Sequence, residues 1–108
     1  MAAFLVYVTA PSLAEAERLA RLAVTERLAA CANILPGMRS FYWWQGALES
    51  AEEAVLVLKT TGELVAPLTE ALKRAHSYDC PCVAALPITG GNPDFLRWIE
   101  AETAPRPS

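Results

Sequence analysis

The segment His76-Ser77-Tyr78-Asp79-Cys80-Pro81-Cys82 holds the single histidine and two of the three cysteines of a 108-residue chain. Imidazole and thiolate favour copper(I) and zinc. His76, Cys80 and Cys82 are therefore the metal candidates, with copper or zinc as the ion and no cofactor required. The C-x-C spacing suits copper(I), which tolerates two or three ligands. It lacks the fourth ligand and the paired C-x-x-C knuckles of a structural zinc site. The same residues beside Asp79 supply the types for a nucleophile, a base and an orienting acid. Nothing in the sequence adds an oxyanion hole or a nucleophile signature, so no catalytic residue is assigned and no enzymatic activity is expected. The plain structural alternative is that Cys82 opens an apolar strand as a small hydrophobe. His76 would then end a helix, where its cationic form suits the negative end of the dipole. Cys31 reads as a buried, inert thiol at a helix-to-strand join.

These residues must be positioned by the elements around them. Phe4 to Val8 is apolar throughout, as a central strand requires. Ser12 and Glu15 form an S-x-x-E capping box. Leu13, Ala16, Leu19 and Ala23 follow at helical spacing, which predicts a helix from Leu13 to Ala29. Cys31 to Gln45 is extended, with a bend expected at Pro36-Gly37. Gln45-Gly46 is a turn, and Leu48 to Thr61 is the returning arm of a hairpin. Leu64, Leu68, Leu72 and Ala75 predict a second helix that starts near Val65, because Pro67 fits only a first turn. Cys82 to Ile88 is strand-like, and Phe95, Trp98 and Ile99 mark a short C-terminal helix. The order βαββαβ predicts an α+β, ferredoxin-like fold. Two helices should lie on one face of an antiparallel sheet with a long bent hairpin. One domain covers residues 1–103, and 104–108 form a frayed tail.

Two helices leave the other sheet face open. Strand alternation puts Met38, Tyr42 and Trp44 on one side of the hairpin and Phe41 and Trp43 on the other. Four aromatic residues at 41–44 are poorly suited to water, and the chain is 54% hydrophobic. A second copy covering this surface is expected. The net charge of −3 and the lack of a Lys/Arg cluster argue against nucleic acid. The run AAFLVYVTA is too short to span a bilayer and follows no basic residue, so neither a leader nor a membrane anchor is expected. Three cysteines without a secretion signal fit reduced thiols and a cytoplasmic location.

LAACANILP (28–36), SFYWWQG (40–46), Glu52-Glu53 before a strand ending in Lys59-Thr60, H-x-Y-x-x-P (76–81), LPI (86–88) and FLRWI (95–99) together resemble the CutA divalent-cation-tolerance family. The motifs occur in order over nearly the whole chain. The resemblance implies a ferredoxin-like fold, a tight homotrimer similar in architecture to PII signalling proteins, and a role in tolerance of copper and other divalent metal ions. It also implies an inter-subunit cleft, at which Tyr42, Trp44, Lys59, His76 and Tyr78 are expected. Two positions depart from the commoner family pattern: Gln45 and Cys82 replace acidic residues, losing two oxygen ligands and gaining a sulfur. A cross-strand or inter-subunit pair involving Lys59, Glu53 or Arg39 is expected to offset buried charge in the hairpin. Acylphosphatase chemistry is not expected, since TAPSLAE lacks that family's glycines and arginine. Nucleotide sensing of the PII type is not expected either, because the β2–β3 connection is short. The alternatives are a PII-like or ACT-like small-molecule sensor with its ligand between subunits, and a trimeric scaffold for another protein.

Overall fold

Phe4–Val8 lies within β1 (Ala3–Ala10), which is hydrogen-bonded along both edges. The computed structural model describes residues 2–105. After β1 come α1 (Leu13–Thr25), β2 (Cys31–Trp44), β3 (Ala47–Thr61), a 3₁₀ turn at Gly62–Leu64, α2 (Val65–Ala75), β4 (Val83–Pro87) and α3 (Pro93–Thr103). The strands form one four-stranded sheet in the order β2-β3-β1-β4. Every pairing is antiparallel. This is the expected α+β, ferredoxin-like arrangement. The last three residues of the expected tail, 106–108, lie outside the described residues.

Alternation along β1 and β3 turns Val6, Val8, Leu56 and Leu58 toward the helices. Leu19 of α1 and Leu68 and Leu72 of α2 meet them, and all are fully buried. Truncating one of these leucines to Ala costs about 2–5 kcal/mol through lost transfer energy and the cavity left behind. Ile99 of α3 is also buried but lies outside that cluster; α3 packs on β3 and β1.

Helix α1 starts as its sequence signals, with Ser12 Oγ accepting from the Glu15 N–H at 3.1 Å. It ends at Thr25, four residues before the expected Ala29. Arg27 takes a left-handed φ of 57°. The Leu28 N–H then bonds to Ala23 O and the Arg27 N–H to Val24 O, the two bonds of a Schellman stop. Glycine usually fills this position, so the arginine gave no stop signal. Its guanidinium bonds to Glu102 O and Oε1 at 2.8 and 3.0 Å, tying the end of α1 to the end of α3.

The hairpin carries both expected breaks. Pro36 and Gly37 together face the single residue Ala54, a β-bulge between the Leu35–Val55 and Met38–Glu53 pairs. At its tip Gln45 and Gly46 both have positive φ, the type I′ condition. The outer arms extend beyond the helices. The Cα radius of gyration is 14.5 Å, against about 13 Å for a compact chain of this length.

Candidate functional site

The bulge decides which side chains meet. Before it, Ile34 packs against the helix-side core opposite Leu56. The extra residue reverses the alternation. Met38, Tyr42 and Trp44 thus stand on the face away from the helices, opposite Glu53, Glu49 and Ala47. Tyr7 of β1 shares this face, and its hydroxyl reaches Met38 Sδ at 3.4 Å. The α2–β4 connection supplies the remaining wall. Between them lies a cavity of about 780 Å³, bounded by residues that include Tyr42, Trp44, Glu53, Tyr78, Cys80 and Cys82.

His76 anchors that connection. Its side chain is fully buried. Nε2 lies 2.8 Å from Thr9 O, which can only accept, so Nε2 carries the hydrogen. Nδ1 accepts from the Tyr78 N–H at 3.0 Å. This is the pattern of the neutral ring, not of the cation expected at the helix end. Glu15 stands 3.3 Å from Nδ1. Its carboxylate accepts from the Ser77 N–H and Oγ at 3.0 and 2.9 Å. The Glu15 side chain therefore tethers the connection, while Ser12 caps the helix. Burial alone would raise the Glu15 carboxyl. The two Ser77 hydrogen bonds, with the charge of Arg18, outweigh burial and hold it below its ordinary value.

Tyr78 continues inward, its hydroxyl donating to Glu53 Oε2 at 2.8 Å. Burial, and then the bond to Glu53 and its charge, push the Tyr78 phenol well above its ordinary value. Glu53 is only 8% exposed. Cys80 and Cys82 are free and exposed, yet the Cys82 thiol feels the interior. Burial and the Glu53 charge push it up, and a hydrogen bond with Thr9 pulls the other way.

Of the expected cleft residues, Tyr42, Trp44 and Tyr78 meet at the cavity. His76 lies behind this wall with both ring nitrogens engaged. Lys59 is elsewhere: it donates to Asn33 Oδ1 and does not line the cavity. Within one chain the expected charge pair is not formed. Glu53 takes a neutral donor, Tyr78, and among the described residues neither Lys59 nor Arg39 pairs with it. The metal trio does not assemble. Cys80 and Cys82 share the cavity wall, but His76 has no nitrogen to offer. Among the described residues no three His, Cys, Asp or Glu side chains group to hold a metal ion. The central place of Glu53 and the nearness of Glu49 were not foreseen. The Pro36-Gly37 bend held the signal, because one extra residue there turns both carboxylates to the side of Tyr42 and Trp44.

An antiparallel β4-β1-β3-β2 sheet backed by two helices, with a protruding hairpin and an acidic, aromatic cavity at its base, defines a ferredoxin-like protein of a distinctive kind. The chain belongs to the CutA1 divalent ion tolerance protein family, which matches residues 4–102. It is 46% identical over 95 residues to the divalent-cation tolerance protein CutA of Archaeoglobus fulgidus, covering 88% of this chain and 92% of that one. It is 47% identical to the chloroplastic CutA 1 protein of Oryza sativa, covering 91% of this chain but 55% of that protein, about half its length. Among solved structures, CutA1 from Oryza sativa superposes with a TM-score of 0.93 at 44% identity, over 96% of this chain and 95% of that one. The periplasmic divalent cation tolerance protein CutA from Archaeoglobus fulgidus gives 0.91 at 43% identity, over 94% and 99%.

Proposed function

We propose that this chain serves divalent-cation tolerance as a self-assembling binding protein, not an enzyme. Three copies associate through their hairpins, and the cavity at the hairpin base receives a ligand. The observation that carries the reading is the hairpin surface: Phe41 and Trp43 are 69% and 73% exposed, and Leu48 is 63% exposed between the same two strands. Apolar groups gathered this closely mark an interface, and closed symmetric assembly satisfies every copy alike.

The non-enzymatic part is supported by His76, whose ring is committed to Thr9 and Tyr78 and is not poised to act as a base for either thiol. The copper or zinc reading keeps Cys80 and Cys82 and gives up His76. A reducing, cytoplasm-like location belongs to the same reading, supported by three free cysteines.

Growth of a bacterial host in graded copper and zinc tests the function. Expression of the wild-type chain should raise the concentration that halves growth, and a Trp43→Glu variant should not. Equal growth with and without the protein would overturn the reading.

A further inference from the structure

Glu53 is the unusual group in this cavity. A buried carboxylate is costly unless a cation and good hydrogen bonds offset it. Glu53 is 8% exposed and receives the Tyr78 hydroxyl, but no Lys or Arg among the described residues pairs with it. Its charge is felt on both sides, since it contributes to raising Tyr78 and Cys82. Glu49 lines the same space, four residues along β3 and on the same face. Arg39 is the single basic residue among those lining the cavity, and its register partner is Glu52, on the other face of the hairpin. Within one chain and among the described residues, the space thus carries the carboxylates of Glu53 and Glu49 and no basic side chain paired with Glu53.

The walls narrow the ligand further. Tyr42, Trp44 and Tyr78 present aromatic surface, which attracts a cation through the ring quadrupole. The volume of about 780 Å³ suits an organic molecule and far exceeds a bare metal ion. An anion would be repelled by Glu53 and Glu49. A neutral apolar molecule would bury Glu53 further and leave its charge unmatched.

We infer that this cavity binds a small organic cation: an ammonium group seated against Glu53, carried on an apolar body held by Tyr42, Trp44 and Tyr78. The inference rests on the reading of the cavity as the ligand site and adds the chemical class of the ligand. The ammonium replaces lost hydration with a charge-assisted hydrogen bond to the carboxylate and with ring faces.

Titration calorimetry of the intact protein with phenethylammonium, phenethyl alcohol and phenylacetate tests it, because the three probes share a shape and differ in charge. Phenethylammonium should bind about tenfold or more tightly than the alcohol, with phenylacetate weakest. Glu53→Gln should abolish the preference for the amine while still binding the alcohol. Tyr42→Leu, which leaves the carboxylate in place, should weaken the amine severalfold and serves if the glutamine variant does not fold. Equal affinity for amine and alcohol, preference for the acid, or a preference that survives Glu53→Gln would overturn the cation assignment and leave the cavity as a ligand site. Binding of none of the three at millimolar concentration would overturn both.

Discussion

The Tyr78 hydroxyl and the Glu53 carboxylate, 25 residues apart, meet at 2.8 Å. This bond joins the α2–β4 connection to β3 at the point where the hairpin leaves the body of the protein. It is charge-assisted and half-buried, so it fixes the cavity wall and offsets part of the cost of placing Glu53 inside.

Tyr78→Phe keeps the ring and removes the donor. A loss of about 1–2 kcal/mol is expected, since Glu53 loses its bond and keeps its charge. Urea denaturation at fixed protein concentration measures this. An unchanged midpoint would mean that water replaces the hydroxyl at no cost.

His76→Ala separates structure from metal chemistry. The variant strands Thr9 O and the Tyr78 N–H and leaves a void, at a cost of about 2–4 kcal/mol. Copper(I) and zinc affinity should hardly change, whereas Cys80→Ser with Cys82→Ser should reduce it. Metal titration of both variants under reducing conditions checks this. Loss of binding in the histidine variant, at a temperature where it remains folded, would restore His76 as a ligand.

The lowered Glu15 carboxyl makes a pH statement. The unfolded chain, with a carboxyl near 4.5, binds the proton more readily than the folded one. The contribution is therefore complete above that value and is lost as pH falls through the lower folded value. Glu15→Gln should lower stability at neutral pH and lose less than the wild type on acidification to about pH 3. Parallel stability profiles for the two proteins would show that the Ser77 hydrogen bonds do not hold the charge.

Cys82 reports on Glu53. Removing the Glu53 charge takes away one of the two causes that raise the thiol, so more thiolate is present at a given pH. Site-resolved iodoacetamide labelling near pH 8 should run roughly two- to tenfold faster at Cys82 in Glu53→Gln than in the wild type. Equal rates would place the carboxylate too far away to act.

The body of the fold was legible because its signals are local. A wholly apolar run marked β1, Ser12 marked the start of α1, Pro67 set the start of α2, and Pro36-Gly37 and Gln45-Gly46 marked the bulge and the turn. The end of α1 was not legible, because Arg27 adopts a left-handed conformation that is ordinarily signalled by glycine. Strand β4 starts at Val83, one residue after Cys82. The site was legible in part. Tyr42, Trp44 and Tyr78 follow from motif and alternation. The roles of Glu53, Glu15 and His76 depend on contacts between residues 25 to 67 positions apart. A linear reading offered several partners for each and could not choose among them.

The central claim is that the chain completes itself by pairing hairpins with its own copies. Light scattering at micromolar concentration tests it most directly. The expected mass is about 35 kDa, three times the 11.7 kDa chain, with Trp43→Glu shifted toward the single-chain mass. A wild-type mass near 11.7 kDa would contradict the claim, because Phe41, Trp43 and Leu48 would then stand in water with nothing to cover them.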